Sequence, residues 1–156
     1  MMMKRQIILS LLLFSSVILF SQKIVQSEGT FFTDATQTNL YSGDYKEYYE
    51  TGELKVEINI KNGKPEGSYV VYFKNGKPNE VRAYKEGLPH GVWRTYNEAG
   101  ILVSEAEYQN NKKTGKWVIW DDNGIMRYEM HYTDGKKSET WYMWDEKGKL
   151  ISEKQY

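Results

Sequence analysis

Apolar and polar residues recur at a fixed spacing of 24 residues from Gly43 to the C-terminus, without one insertion. The repeats begin at Gly43, Gly67, Gly91, Gly115 and Glu139, and the fifth is shortened. A fixed period of about 20 to 50 residues indicates one supersecondary unit stacked on copies of itself, because a single unit cannot bury its apolar face alone. We number the positions within a repeat from 1 to 24.

Three positions of the repeat carry fourteen of the eighteen tyrosines and tryptophans. Position 3 is Tyr45, Tyr69, Trp93, Trp117 and Trp141. Position 6 is Tyr48, Tyr72, Tyr96, Trp120 and Trp144. Position 18 is Ile60, Tyr84, Tyr108, Tyr132 and Tyr156. From position 12 to position 18 apolar and polar residues alternate, and this period of two predicts a β-strand.

Two turns are predicted in each repeat. Position 10 is glycine in every repeat, and position 21 is glycine in three of the four repeats that reach it, the third having Asn111. Pairs such as Asn62-Gly63 and Asp134-Gly135 are strong β-hairpin signals because both residues tolerate positive φ. Two turns leave two strands in each repeat, and residues 43–156 show no helical periodicity. The pattern therefore predicts an all-β fold of tandem hairpins.

The repeat pattern G-x-[WY]-x-x-[YW]-x-x-x-G-x-L-x-x-E-x-x-Y-x-[ND]-G-K resembles the second type of MORN repeat. The resemblance covers residues 43–156, and repeat two departs most, with Pro78 at the leucine position and Val81 at the glutamate position. It implies consecutive β-hairpins side by side in one elongated, single antiparallel sheet. Many bacterial chains of this kind are labelled antitoxin components, and other MORN proteins are described as protein-interaction or lipid-binding modules.

Two geometries are open for the turn at positions 9 and 10. A two-residue loop places position 4 opposite position 15, which pairs Lys46 with Glu57 and Arg94 with Glu105; such cross-strand pairs are favourable. A three-residue loop with glycine in the left-handed conformation needs only one positive φ. We favour the first geometry, which puts positions 3, 5, 12, 14, 16 and 18 on one apolar face and position 6 on the other.

Position 6 then forms a column of aromatic residues on a mostly polar face, beside the glutamates of position 15. Tyrosine and tryptophan supply large contact areas with little conformational entropy to lose. The predicted interaction surface consists of Tyr48, Tyr72, Tyr96, Trp120, Trp144, Glu105 and Glu129. The alternative is that both faces are packed and the column is structural.

The start of the chain predicts export. Lys4 and Arg5 precede an apolar run over residues 7–20, which is typical of a signal peptide spanning residues 1–21 and cleaved after Ser21. The run is short for a transmembrane helix, and an uncleaved anchor is the alternative. Cleavage would leave 19 basic and 21 acidic residues, a formal charge of −2. Residues 22–42 are predicted to be a linker or N-terminal cap with one short strand near Phe31, followed by the repeat domain over residues 43–156.

Residues typical of catalysis or metal binding do not form motifs. The chain has no cysteine, and its two histidines, His90 and His131, have no acid or nucleophile at a recurrent spacing. Phosphate-loop and zinc-ligand spacings do not occur in the sequence, and basic residues are interleaved with acidic ones in every repeat, unlike a nucleic-acid-binding surface. We expect no enzymatic activity, no cofactor or metal, and no nucleic-acid partner.

The expected function is an exported, non-enzymatic repeat module that binds another protein, in an antitoxin-like or immunity-like role, in the periplasm, at the cell surface or in the medium. The alternatives are an aromatic-rich module for envelope carbohydrate or choline, and a lipid-surface module, for which a nearly neutral sheet is a poor candidate. The last strand ends at Tyr156. Its free edge predicts weak self-association.

Overall fold

The computed structural model describes residues 24–156, which form thirteen β-strands and no helix. The predicted signal peptide lies outside these residues. Within the described part of the chain there is no helix of the length and apolarity needed to cross a membrane. The strands are β1 (Val25–Ser27), β2 (Thr30–Phe32), β3 (Gly43–Tyr48), β4 (Leu54–Lys61), β5 (Lys64–Tyr72), β6 (Pro78–Lys85), β7 (Leu88–Pro89), β8 (Gly91–Tyr96), β9 (Leu102–Gln109), β10 (Lys112–Trp120), β11 (Met126–Thr133), β12 (Lys136–Trp144) and β13 (Leu150–Gln155).

The repeats form one antiparallel sheet in which strand order follows chain order from β3 to β13. β7 and β8 both pair with β6 and together fill one strand position, so the sheet is ten strands across. At about 4.8 Å between strands it is about 48 Å long. The predicted all-β fold, a single antiparallel sheet of tandem hairpins, is confirmed.

The predicted register is confirmed along the whole sheet. Positions 4 and 15 form one continuous row of cross-strand neighbours, which begins with Lys46 opposite Glu57 and ends with Tyr142 opposite Glu153. Directly opposed residues of an antiparallel sheet lie on the same face. One face therefore carries positions 4 and 15, and the other carries positions 3, 5, 14, 16 and 18.

The two-residue loop predicted at positions 9 and 10 is wrong. In the first repeat Tyr49 N donates to Glu53 O at 2.9 Å and Gly52 N donates to Tyr49 O at 2.9 Å, which encloses three loop residues. Gly52 has φ 99°, as the three-residue loop requires. A β-bulge then shifts the pairing by one residue, so that Tyr48 faces Leu54 while Glu47 faces Val56. The bulge cancels the extra loop residue and restores the predicted register.

The same bulge corrects the predicted place of position 12. Leu54 pairs with Tyr48, and Leu102, Met126 and Leu150 likewise pair with the position 6 residue of their repeats. Position 12 thus lies on the face of position 6 and not on the apolar face.

A second irregularity falls at position 1 of each repeat. This residue has positive φ throughout: Gly43, Gly67, Gly91, Gly115 and, in the fifth repeat, Glu139 at φ 55°. The pairing of β10 with β9 shifts by two residues between Thr114 and Val118, around Gly115. The sequence contains this signal as a glycine in four of the five repeats, but the two-residue alternation of a strand does not distinguish such a bulge.

Residues 24–41 cover the first repeat. β1 and β2 form a hairpin, and Phe31 of β2 is 4% exposed. The Phe31 ring packs edge-on against the Tyr45 ring at 5.0 Å. The buried cluster consists of Phe31, Val56, Ile58 and Ile60. Among the described hydrophobic side chains only those of Ala106 and Val118 are equally buried outside this cluster, so repeats two to five form a single layer with both faces accessible.

Candidate interaction surfaces

Positions 3 and 18 form a continuous row of contacting rings, which we call the aromatic ladder. Its members are Tyr69, Tyr84, Trp93, Tyr108, Trp117, Tyr132, Trp141 and Tyr156. Successive ring centroids lie 4.6 to 5.9 Å apart at tilted or edge-on angles. Such pairs stabilise a fold by about 0.5 to 1.5 kcal/mol each beyond the area they bury. The ladder is the main side-chain contact between repeats on its face.

Glycine at position 1 suits the positive φ of the bulge. Gly91 stands directly opposite Tyr108, and Gly115 stands opposite Tyr132. A Cβ added at Gly115 would overlap the Glu107 carboxylate, and one added at Gly91 would meet the Cβ of Ala83 at 3.4 Å. The nearest atoms thus belong to position 17 and not to the rings of the ladder, so the backbone conformation and position 17 favour glycine here.

The tryptophans of the ladder are fixed by hydrogen bonds as well as by stacking. The indole Nε1–H groups of Trp93, Trp117 and Trp141 all donate to the backbone carbonyl of position 17 on the preceding strand. The acceptors are Ala83, Glu107 and His131, at 2.9, 3.1 and 3.0 Å. These three indoles therefore have their polar atom satisfied within the sheet.

The position 6 column lies on the opposite face. Tyr48, on the edge strand, is 59% exposed, whereas Tyr72, Tyr96, Trp120 and Trp144 are half-buried. Within residues 24–156 no two rings of the column pair with each other. Only Tyr72 is tied to the glutamate row, since its hydroxyl donates to Glu57 Oε2 at 3.3 Å.

The two tryptophans of the column have free indole N–H groups. Across the described part of the chain neither Trp120 Nε1 nor Trp144 Nε1 has a hydrogen-bond acceptor, and neither atom is buried without a partner. Tryptophan N–H groups normally have a hydrogen-bond partner when they are buried. Trp120 and Trp144 can therefore donate to a bound molecule.

The glutamates of the predicted surface are partly neutralised by basic neighbours. Arg94 Nε donates to Glu105 Oε2 at 2.8 Å. Glu129 lies 3.1 Å from His131 Nε2 and 3.9 Å from Lys116 Nζ. Between these two carboxylates lies Val118, which pairs with both residues and is 2% exposed. The structure thus brings Glu105, Glu129 and Trp120 together on one face, around the covered side chain of Val118.

Catalytic and metal-binding arrangements are not seen in residues 24–156, where no group of three or more histidine, cysteine, aspartate or glutamate side chains could hold a metal ion. The acidic turn at Asp121 is a hydrogen-bonded loop, because Asp121 Oδ1 accepts the backbone N–H groups of Asn123 and Ile125, each at 3.0 Å.

Comparison with known proteins identifies the repeats. The family model described as the MORN repeat variant matches residues 41–62, 89–110 and 113–134. No curated protein matches the sequence. A solved chain from the crystal structure of accessory secretory protein 1, 2 and 3 in Streptococcus pneumoniae aligns at 13% identity with a TM-score of 0.37, over 76% of this chain and 22% of that one. This chain spans less than a quarter of that protein's length.

MORN repeats are in general non-enzymatic modules that bind proteins or membranes. The family match and the observed tandem hairpins agree in period and boundaries. Three of the five repeats of this chain are MORN repeats of the variant form.

Proposed function

We propose that this chain is an exported, non-enzymatic module that binds a protein partner through the face carrying the position 6 column, Glu105 and Glu129. The observation that carries the proposal is the contrast between two groups of tryptophans in one sheet. Trp93, Trp117 and Trp141 donate their indole N–H to the sheet itself, whereas the N–H groups of Trp120 and Trp144 have no acceptor in residues 24–156.

The contrast separates a structural role from a binding role. A half-buried indole with a free donor supplies both apolar area and one directional hydrogen bond, and tryptophan is enriched among residues that dominate binding energy. The carboxylates of Glu105 and Glu129, held by basic neighbours, would form the polar rim of such a site.

An immunity-like or antitoxin-like role outside the cytoplasm is the specific form of this proposal. The signal-peptide pattern of residues 1–21 supports export. A toxin that acts in the cytosol would not meet an exported chain, so the toxin in question would itself be exported. The test of this form is direct titration of the purified chain with the exported proteins encoded beside it.

The alternative of a choline-binding or carbohydrate-binding module has less support. Quaternary ammonium ligands bind the faces of aromatic rings. On the aromatic ladder these positions hold the chain's own cations, with Lys113 Nζ 4.3 Å from the Trp117 centroid and Lys137 Nζ 4.4 Å from the Trp141 centroid. The remaining ring surfaces contact neighbouring rings, so flat stacking of a sugar is obstructed.

Site-specific photocrosslinking tests the proposal in the native host. A photoreactive phenylalanine derivative replaces Trp120 or Trp144 in one pair of strains and Trp117 or Trp141 in a control pair, with the full chain expressed in each. We expect one discrete protein adduct from Trp120 and Trp144 that does not form from Trp117 or Trp141. The same adduct in equal yield from both faces would show that the chosen face is wrong. Adducts that contain only glycan or lipid would refute a protein partner.

Export is tested separately. Edman sequencing of the chain recovered from the periplasm or medium should begin at Gln22. An intact Met1 in the cytosolic fraction would refute export without bearing on the binding face.

A further inference from the structure

The two faces of repeats three to five differ in charge. The rows of positions 3 and 16, 5 and 14, and 18 and 23 lie on the ladder face, and their only charged residues there are Lys113, Lys137 and Lys154. The opposite face carries carboxylates at positions 15 and 17, namely Glu105, Glu107, Glu129 and Glu153. The ladder face is therefore basic and aromatic in this half of the sheet.

The three lysine ammonium groups lie against the rings of the ladder. Lys113 Nζ is 4.3 Å from the Trp117 centroid and 4.8 Å from that of Tyr132. Lys137 Nζ is 4.4 and 4.6 Å from the centroids of Trp141 and Tyr156. Cation–π attraction thus fixes each ammonium group at a defined point above the sheet.

These cations have no acidic partner in the part of the chain that the structure describes. None of Lys113, Lys137 and Lys154 lies within ion-pair distance of a carboxylate of residues 24–156. Repeat two shows the contrasting case, since its ladder cation, Arg82, forms an ion pair with Glu80. The positive charges of Lys113, Lys137 and Lys154 are therefore available to pair with a bound molecule.

The pKa of Tyr156 reflects the same excess of positive charge. Burial acts to raise the pKa of its phenol, but the hydrogen bonds and positive charges of Lys137 and Lys154 outweigh burial, and the pKa is lowered. An anion is therefore favoured at this end of the ladder.

The spacing of the cations suits an extended chain. Lys113 lies on β10 and Lys137 on β12, two strands apart, which is about 9.5 Å at the usual strand spacing. Three residues of a polyproline II chain span about 9.3 Å, and its three residues per turn bring every third side chain back to the same side. A peptide that crosses the strands could thus present a carboxylate to each lysine at every third residue.

We infer that the ladder face of repeats three to five is a second binding surface, for an extended acidic polypeptide segment with a carboxylate at every third residue. Lys113 and Lys137 pair with successive carboxylates, and Lys154 extends the basic row to the last strand. The site is independent of the position 6 column, which lies on the opposite face.

Two other occupants fit less well. A bilayer would need aromatic side chains free to insert, but the ladder indoles are stacked and hydrogen-bonded within the sheet, and three lysines attract an anionic surface weakly. A second copy would offer its acidic face, but two of the four carboxylates there are already engaged, Glu105 with Arg94 and Glu129 with Lys116 and His131.

The test uses two synthetic peptides of equal length and composition, one with glutamate at every third residue and one with the same glutamates adjacent. Binding to the full chain is measured by calorimetry at low and high salt. We expect tighter binding of the spaced peptide, and a loss of about tenfold in the variant carrying Lys113→Gln and Lys137→Gln, equal to about 1.4 kcal/mol. Lys113→Arg with Lys137→Arg should retain binding, which separates loss of charge from loss of the fold.

The matched control carries Lys112→Gln and Lys136→Gln, which removes the same charge from the residues immediately before, outside the ring contacts. This variant should bind the spaced peptide as the unaltered chain does. Equal losses in both pairs, no preference between the peptides, or no binding at low salt would overturn the inference. The inference would also be overturned if the chain bound phosphatidylserine vesicles but neither peptide. Sedimentation that showed a dimer whose interface covers the ladder face would overturn it too.

Discussion

Replacing either of two tryptophans on one strand tests the assignment of the faces. Trp117 and Trp120 lie three residues apart on β10, at positions 3 and 6 of the same repeat. Both are half-buried, so their exposure alone does not distinguish them. The contacts of the two side chains distinguish them, and we expect Trp117→Ala to destabilise the chain much more than Trp120→Ala.

The contacts of Trp117 set the magnitude. Its ring pairs with those of Tyr108 and Tyr132 at 5.1 and 5.2 Å. Each pair stabilises by about 1 kcal/mol, and the ammonium of Lys113 adds about 0.5 to 1 kcal/mol. The indole N–H bond to Glu107 O contributes about 1 kcal/mol more. With the lost burial, Trp117→Ala should lower the free energy of unfolding by about 3 to 5 kcal/mol.

Trp120 has fewer contacts to lose. Its cross-strand neighbour is Met126, next to the bulge, and among residues 24–156 its ring has no aromatic partner and its N–H no acceptor. Only partial burial of apolar area remains, and Trp120→Ala should cost about 1 to 2 kcal/mol.

Urea unfolding, followed by far-ultraviolet circular dichroism, measures the loss of unfolding free energy in both alanine variants by the same method. Trp117→Phe is the matched control, since it keeps a ring in the ladder and removes the N–H and part of the area; its loss should fall between the other two. Equal losses for the two alanine variants would show that both faces are packed. A larger loss at Trp120 would refute the division of roles between the columns.

Three further outcomes follow from particular residues. Glu139→Gly should raise the free energy of unfolding by about 1 kcal/mol, because Glu139 holds a φ of 55° where the other repeats have glycine. The contact of its carboxylate with His131 Nδ1 is an ion pair only when the imidazole is protonated and is too exposed to offset this gain; a lower urea midpoint would contradict the strain. Glu86→Asn should raise the free energy of unfolding by a few tenths of a kcal/mol, because asparagine tolerates the left-handed φ of 53° better than glutamate; the urea midpoint measures this too. Burial, followed by the hydrogen bond to Glu47, raises the pKa of Tyr45 to about 12, so stability should fall as pH rises from 10 to 12; urea midpoints across this range should show a weaker fall in Tyr45→Phe, and an unchanged slope would refute the shift.

The strand register could be predicted from the sequence because oppositely charged residues occupy the positions that pair across the strands. Lys46 with Glu57 and Arg94 with Glu105 are two instances of one row, and both are ion pairs in the structure. The turn was predicted wrongly for a physical reason. An extra loop residue and a compensating bulge give the same register as a tight turn without a bulge, and charge pairing cannot distinguish the two.

The lysines on the ladder were not predicted, because they do not form a column in the sequence. Position 23 is Pro65 and Pro89 in the first two repeats and Lys113 and Lys137 in the next two. Position 23 is placed opposite position 18 by the turn before it, and the shift around position 1 then sets the register of position 4 against position 15 and with it the place of the position 3 ring. A periodicity argument treats each column separately and misses a contact that arises only from the shift between columns.

A sheet one layer thick has no interior, so each face must contribute stability while remaining in contact with solvent. In this chain the ladder links neighbouring repeats through ring pairs such as Tyr108 with Trp117, and a repeat protein is stabilised by such nearest-neighbour terms. The position 6 column makes no ring pair between repeats in the described chain. Its residues can therefore vary with little effect on folding, which is the property that a recognition surface needs. If Trp120 were needed for stability as well as for binding, every substitution there that suited a new partner would weaken the fold. The comparison of Trp117→Ala with Trp120→Ala measures whether stability and binding depend on different residues.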